Sequence, residues 1–185
     1  MANQRGFTLV ELLVVIAIIG LLATVVLASL NNARDKARAA QSALQIKELA
    51  TAVSIYIIDT NIIPECRLDC TSTTDPLRNN LGVANWYGPY FPRDLSSFTH
   101  PWGGHLGVGA WDYNGDGIPE PYVIFDDDAP GTSSFDNSGR IPDSLLEEID
   151  AILDDGNLTT GQVMGGLDGP SFTAEGELVY IITAN

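Results

Sequence analysis

The chain has 185 residues, 24 of them acidic and nine basic, and a formal net charge of −15 at neutral pH. Most of the negative charge lies in residues 61–185, which carry four arginines against 20 acids. Because binding to nucleic acid or to an anionic membrane surface depends on Lys and Arg neutralising phosphates, this region is expected to bind neither. It is expected to attract cations, or simply to keep the protein soluble.

The N-terminal part contains a long uncharged segment. From Leu12 to Ala33 there are 22 consecutive residues without a charge, enough for a helix to cross the hydrocarbon core of a bilayer. Glu11 lies directly before this segment, where an ionisable group is costly in lipid and usually marks function. A carboxylate there needs a cationic partner. Cleavage of the chain after Gly6 would create one, the α-amine of Phe7.

The sequence GFTLVELLVVIAIIG at Gly6–Gly20 resembles the prepilin signal of type IV pilins and type II secretion pseudopilins almost residue for residue. The resemblance implies that a prepilin peptidase removes a leader, residues 1–6, by cleaving between Gly6 and Phe7, and that Phe7 is then N-methylated. It also implies that Glu11 is the carboxylate used in assembly. The alternatives are an uncleaved membrane anchor and a secretory signal peptide. The signal peptide is disfavoured because no small-x-small cleavage site follows a short apolar core.

The resemblance further implies a location and a set of partners. Such subunits are held in the inner membrane by one helix, with the leader inside and the head outside the cytoplasm. They then polymerise with identical subunits into an extracellular pilus or a periplasmic pseudopilus. The implied partners are the prepilin peptidase and methyltransferase, the inner-membrane assembly platform, minor pilins and the membrane itself.

The sequence predicts an α+β fold in which a long N-terminal hydrophobic helix packs on a small antiparallel β-sheet head. No proline interrupts residues 7–60. The first part, 7–30, is predicted to span the membrane, and the rest is amphipathic, with apolar residues spaced by threes and fours. Pro64 is expected to end the helical region, while Gly20 and the pair Asn31–Asn32 are weak points where the helix could bend or melt.

Residues 61–185 are predicted to form the globular head. A connection rich in proline and aromatic residues, 61–100, precedes a sheet region over 101–185. Within the sheet region, β-branched, aromatic and apolar-periodic segments predict strands and one short helix. The predicted strands are Leu106–Trp111, Pro121–Phe125 and Leu178–Thr183, and the predicted helix covers 142–154.

The two cysteines of the chain, Cys66 and Cys70, are four residues apart and follow Pro64. In an oxidising compartment a local disulfide is the expected state. It closes a very short loop and would therefore stabilise the fold only modestly. The alternative is a metal-binding pair, but two thiolates without a nearby histidine make a poor zinc site.

Residues 112–120, DYNGDGIPE, place oxygen-bearing side chains at alternate positions around glycines. Asp112, Asn114 and Asp116, together with the carbonyl of Ile118, match the first part of the calcium-loop pattern D-x-[DN]-x-[DN]-G. The alternative is an Asp-Gly hairpin turn, which these residues also favour without any ion.

The second part of the calcium pattern is missing, because Val123 stands where a bidentate glutamate would be expected. Closure would have to come from Glu120 or from the acidic run Asp126–Asp128. The family resemblance supports calcium, since major pseudopilins have a calcium site in this region of the head, although with a different ligand spacing. The predicted Ca²⁺ ligands are Asp112, Asn114, Asp116, Ile118, Glu120, Asp126 and Asp128.

The sequence predicts no catalytic role. His100 and His105 are the only histidines and stand in no zinc-like or triad-like pattern, and neither a G-x-S-x-G nor an H-E-x-x-H motif is present. We therefore expect a structural subunit that polymerises through its N-terminal helix into a type IV pilus or a similar filament. One alternative is the major pseudopilin of a type II secretion system that exports proteins. A second, of another class, is a membrane-anchored calcium-binding surface protein or enzyme.

Two short segments bear on the choice between pilus and pseudopilus. Pro101–Gly104, PWGG, resembles a turn in major pseudopilins. The segment Ile149–Gly161, which contains DDGNLTTG, resembles one found in many pilin-like heads. The first therefore favours a pseudopilin and the second a pilin.

Overall fold

The structure is a computed structural model and describes residues 9–67, 70–127, 141–166 and 176–183. The chain divides into two compact units, Met1–Ala37 and Arg38–Asn185. The observed elements confirm the α+β class that the sequence predicts. In chain order they are α1 (Leu9–Thr60), a 3-10 turn (Leu95–Ser97), β1 (His105–Trp111), β2 (Glu120–Asp126), α2 (Asp143–Leu153), β3 (Val163–Gly165) and β4 (Leu178–Ile181).

Helix α1 is continuous over 52 residues. Gly20 and Asn31–Asn32 both lie within it and neither forms a melted turn, because one glycine costs only about 1 kcal/mol in a long helix. The helix stops at Thr60, where Asn61 takes a left-handed conformation with φ 56° and donates its amide to the carbonyl of Ile57. Such a residue commonly ends a helix, and Pro64 follows three residues later.

In the first unit, the apolar side chains of α1 are exposed. Every leucine, isoleucine and valine from Leu9 to Leu30 is exposed, from 44% at Leu30 to 83% at Leu9. Within the described part of the chain, α1 is the one helix long and apolar enough to cross a bilayer, judged by length and composition.

In the second unit, the remaining part of α1 is buried along one stripe. Its members recur at spacings of three and four, as expected for one face of a helix. They are Ala39, Ala43, Ile46, Leu49, Val53 and Tyr56. Helix α2 adds Leu146 and Ile149 to the same core.

The described strands form one antiparallel sheet in the order β1–β2–β4–β3. Alternate residues of these strands face the core against α1, among them Val108, Phe125 and Leu178. The opposite face carries a smaller apolar cluster of Tyr122, Ile124 and Val179. The three predicted strands are present with ends shifted by one or two residues, whereas β3 was not predicted.

The segment around Cys66 lies beside β1. The amide of Cys66 donates to the carbonyl of Val108 and the amide of Val108 donates to the carbonyl of Cys66, both at 2.9 Å. The backbones pass so closely that a Cβ at Gly107 would lie 2.9 Å from the carbonyl oxygen of Arg67. The predicted disulfide between Cys66 and Cys70 is confirmed.

The long connection before the sheet is held by a buried carboxylate. Asp75 is fully buried and accepts hydrogen bonds from the amide of Leu77 at 3.0 Å and from that of Leu95 at 3.2 Å. Nearby, the rings of Tyr56 and Tyr90 pack edge to face. In this connection, Tyr90 therefore packs against the second half of α1.

Candidate functional site

Three places in the molecule carry the residues that the sequence singled out: the start of α1, the turn between β1 and β2, and the far end of β2. Glu11 lies in the first turn of α1. Its neighbours Val10, Leu12 and Val15 are all exposed apolar residues. Gly6 and Phe7, the predicted processing residues, lie outside the described residues.

A carboxylate on this apolar surface has a definite consequence. When this surface is transferred out of water, the carboxylate of Glu11 loses its hydration. That loss costs several kcal/mol unless a cation neutralises the charge. The apolar residues Leu12 and Leu13, each 59% exposed, gain free energy in the same step. At the start of α1, burial of apolar side chains can therefore supply free energy, while the single carboxylate can fix the position of a partner through one charge contact.

The turn between β1 and β2 is held by hydrogen bonds from its own backbone. Asp112 accepts the amides of Gly115 and Gly117, one on each carboxylate oxygen and both at 2.8 Å. Asn114 accepts the amide of Asp116 at 2.9 Å. Its side-chain amide donates to Glu120 at 3.0 Å. The structure thus brings together four predicted calcium ligands.

Further hydrogen bonds between side chains and backbone amides hold this turn. Asp116 accepts the amide of Ile118 at 2.8 Å, and Glu120 accepts that of Tyr113 at 3.2 Å. The turn residues from Tyr113 to Pro119 are exposed. Such self-bonded Asx turns are also common where no ion is bound.

Asp126 lies at the other end of β2. The strand register pairs Trp111 with Glu120 at one end and His105 with Asp126 at the other. Seven residues of strand separate the two ends by roughly 20 Å, at about 3.3 Å per residue. The structure therefore does not bring Asp126 into the turn, and Asp128 lies outside the described residues.

At its own end of the sheet, Asp126 meets two other carboxylates. Asp126, Asp127 and Glu177 are each at most 1% exposed, and one oxygen from each lies within 4.8 Å of the others. The sheet causes this meeting, because Phe125 pairs with Leu178 and so brings the flanking Asp126 and Glu177 together. We refer to these three residues as the buried triad.

The sequence analysis missed Glu177 as a site residue. It stands 50 residues from Asp127 in a glycine-flanked segment, and only the pairing of β2 with β4 reveals the proximity. Three buried carboxylates so close together repel one another, and a cation between them would relieve that repulsion. Their oxygen atoms are the ligand type that Ca²⁺ prefers, so the residues fit that ion.

His100 covers this end of the sheet. Its Nδ1 accepts the amide of Trp102 at 3.2 Å, so its Nε2 carries the proton and donates to the carbonyl of Asp126 at 2.8 Å. The ring stacks on Phe125 with centroids 3.9 Å apart. Burial lowers the pKa of His100 to about 4, against the opposing effects of the Asp126 hydrogen bond and the Asp127 charge. The imidazole is therefore neutral at physiological pH.

Several known proteins are similar in sequence to the chain. Residues 1–27 match the family described as "Prokaryotic N-terminal methylation motif". The type II secretion system core protein G of Xanthomonas campestris pv. campestris is 30% identical over 138 residues, 74% of this chain and 88% of that protein. The corresponding protein of Vibrio cholerae is 36% identical over 107 residues, 56% of this chain and 68% of that protein.

A fimbrial protein is also similar to the chain. The type IV major fimbrial protein FimA of Dichelobacter nodosus is 30% identical over 103 residues, 56% of this chain and 59% of that protein. No solved structure matches the chain significantly. From the methylation motif, the exposed apolar half of α1 and these relatives, the chain belongs to the type IV pilin and type II secretion pseudopilin family.

Proposed function

We infer that the protein is a structural subunit of a type IV pilus-like filament, which the membrane holds through α1 before assembly. The observation that carries this conclusion is the exposed apolar half of α1, Leu9–Leu30. Water-soluble monomers rarely expose an apolar patch of more than a few hundred Å². This surface needs lipid first and neighbouring helices afterwards.

Glu11 provides the directional contact in the proposed assembly step. After removal of the leader, the carboxylate of an incoming subunit pairs with the α-amine of Phe7 on its neighbour. Both charges are then neutralised where little water remains. Removing one partner of such a buried pair costs about 3–5 kcal/mol, which is enough to stop polymerisation.

The experiment compares Glu11→Leu and Glu11→Gln with Thr24→Ala, a control at an exposed polar residue of the same helix. We expect both Glu11 variants to accumulate in the membrane without forming fibres, while the control assembles. Electron microscopy and quantitation of sheared surface material give the readout. Abundant wild-type-like fibres from either Glu11 variant would contradict the proposed role.

The same argument requires processing. Mass analysis of the mature protein is expected to find a chain that begins at Phe7 and carries one methyl group. A mature chain that keeps its initiator methionine has no α-amine at the required position, and the charge pairing proposed for Glu11 would then be wrong.

The filament has two candidate roles, an extracellular type IV pilus and the pseudopilus of a type II secretion system. The fimbrial relative supports the first. The relatives named core protein G, one of them covered to 88% of its length, support the second. Deletion of the gene separates the two: loss of surface fibres indicates a pilus, and loss of exported proteins with surface fibres unchanged indicates a pseudopilus.

For the head we propose a location outside the cytoplasm, with the leader inside. The Cys66–Cys70 disulfide supports this orientation, because disulfides persist mainly in oxidising compartments. The proposed partners are the prepilin peptidase and methyltransferase, an inner-membrane assembly platform and minor pilins. The family's members are structural subunits, and the proposal includes no catalytic step.

We also propose that the head binds Ca²⁺ and that the buried triad is the better candidate of the two calcium sites. The turn from Asp112 to Glu120 is exposed and forms hydrogen bonds within itself, whereas the triad gathers three buried carboxylates with one oxygen of each within 4.8 Å of the others. Calcium added to the detergent-solubilised chain should raise its melting temperature. Asp126→Asn should reduce this shift, and Asp116→Asn should leave it unchanged; the reverse pattern would assign the ion to the turn.

A further inference from the structure

A second group of carboxylates lies at the C-terminal end of α2. Asp150, in the last turn of this helix, is fully buried. Neither of its carboxylate oxygens has a hydrogen-bond partner of acceptable geometry among the described residues. Leaving a buried acceptor unsatisfied costs about 1–3 kcal/mol, and more when the group is charged. The burial of this side chain therefore needs an explanation.

Two exposed carboxylates lie beside it. One oxygen each of Asp150, Asp154 and Asp155 falls within 4.8 Å of the others. Asp154 is the C-cap residue that follows α2, and its amide donates to the carbonyl of Asp150 at 2.6 Å. The helix end therefore brings all three acids to one point. We call these residues the α2-end cluster.

The loop after α2 fixes the two exposed carboxylates. Asp154 accepts the amide of Gln162. Asp155 accepts the amide of Asn157 at 2.8 Å on one oxygen and the hydroxyl of Thr160 at 2.9 Å on the other. The carboxylates are thus held in place by hydrogen bonds, which reduces the entropy lost when they bind a ligand.

Next to the cluster, the loop has room for no residue larger than glycine. Gly161 has φ +83°, and a Cβ there would collide with the carboxylate of Asp154 and lie 3.4 Å from an oxygen of Asp155. The DDGNLTTG segment therefore wraps the helix end so closely that a side chain at Gly161 would displace Asp154.

Electrostatics at this point favour a cation. The C-terminal end of a helix carries partial negative charge, and cations there are stabilising, yet the last turn of α2 contains no basic residue. Three acids at a negative helix end repel one another unless a positive charge joins them.

We propose that Asp150, Asp154 and Asp155 form a cation site at the end of α2, suited to a hard divalent ion such as Ca²⁺. Asp150 supplies the buried ligand, and Asp154 and Asp155 close the site from the solvent side. Calcium suits this arrangement because it accepts carboxylates in flexible geometry and completes its shell with water. The site is separate from the buried triad and shares no residue with it.

The test uses the full-length chain in detergent micelles and an Asp126→Asn background, so that an ion in the buried triad does not contribute. Into this background Asp150→Asn is introduced, with Glu147→Gln as the matched control. Glu147 is an exposed acid of the same helix, so the control removes the same charge outside the cluster. Calorimetric titration with CaCl₂ and melting curves with Ca²⁺ or with chelator are the measurements.

The background and the Glu147→Gln variant are expected to bind one ion more per chain than the Asp150→Asn variant. They should also show a melting shift with Ca²⁺ that Asp150→Asn lacks. Without calcium, Asp150→Asn should melt no lower than its background, since the amide removes the repulsion. If Asp150→Asn binds as many ions as the control, the proposed site does not exist.

A second variant guards against misfolding of the first. Asp154→Asn changes an exposed ligand and keeps an oxygen for the amide of Gln162, so the fold should be retained. It too should lose the Ca²⁺-dependent shift. A background protein that takes up no Ca²⁺ and becomes more stable on mild acidification would mean that Asp150 is simply protonated, and this too would overturn the proposal.

Discussion

The two parts of α1 both carry large apolar residues such as isoleucine, but these residues differ in their burial. Ile16, in the first part, is 61% exposed, whereas Ile46, in the second, is fully buried against the sheet. Burying such a side chain contributes about 1.5–3 kcal/mol. The second part obtains this free energy within one subunit, and the first can obtain it only from lipid or from other subunits. Folding and assembly are therefore driven by separate segments of a single helix.

The ionisable groups show the same division. In the first part of α1, from Leu9 to Leu30, the one charged residue is Glu11, on the exposed apolar surface. The head instead buries several polar groups, among them Asp75, His100 and Asp150. The charge in this part of α1 therefore lies on an exposed surface, whereas these groups of the head lie within the fold.

The largest expected effect comes from the same substitution made in the two parts. Ile46→Ala should lower the free energy of unfolding of the head by about 2–5 kcal/mol, because it leaves a cavity in a fully buried core. Ile16→Ala, on an exposed surface, should change it by less than about 0.5 kcal/mol. Denaturant unfolding of the detergent-solubilised chain measures both. Equal losses from the two variants would mean that the first part contributes to the stability of the head.

A smaller effect concerns the neutral imidazole at the end of β2. The pKa of His100 in the folded protein is about 4, below the ordinary 6.5. As the pH falls, His100 is therefore protonated in the unfolded chain before it is protonated in the folded protein. Stability from this group is present above pH 6.5 and is lost as the pH falls towards 4. Between pH 7 and pH 5 the loss is about 2 kcal/mol, at 1.36 kcal/mol per pKa unit.

The measurement is unfolding of the wild type and of His100→Gln at both pH values. The variant should lose about 2 kcal/mol less than the wild type between them. His105, whose pKa is also lowered by burial, remains in both proteins and does not affect the difference. An unchanged pH dependence in the variant would show that His100 does not titrate in this way.

The smallest effect tests the carboxylate that holds the long connection. Asp75→Asn keeps one oxygen acceptor but turns an amide group towards the other backbone N–H, that of Leu77 or Leu95. The loss of one buried hydrogen bond should cost about 1 kcal/mol, and the removal of a buried charge offsets part of it. Chemical unfolding with Asp94→Asn as a half-buried control gives the comparison. A variant as stable as the wild type would show that the connection does not depend on this carboxylate.

Most of the fold could be predicted because its periodic signals are local. The long helix, the helix α2 and the three longer strands each contain enough apolar periodicity to be recognised. Strand β3, Val163–Gly165, has only three residues. Its strand conformation depends on pairing with β4, which a single sequence does not display.

The sites were less predictable because several of them depend on contacts between residues that are distant in sequence. Glu11 could be predicted as an assembly residue because that prediction depends only on its neighbours in sequence. The turn at Asp112 was recognised as a ligand pattern, but its hydrogen bonds and the distance to Asp126 follow from the sheet. Glu177 and Asp150 become candidate ligands only through burial, which the packing of distant elements determines.

The order of the strands has a consequence for biogenesis. Leu178–Ile181 is the last of the described strands to be synthesised, yet it lies between β2 and β3 within the sheet. The ribosome must therefore finish nearly the whole polypeptide before the head can close. By then the hydrophobic N-terminal helix has long emerged from the ribosome. A premature stop upstream of residue 178 would therefore leave a membrane-anchored fragment with open sheet edges, which proteases would degrade readily.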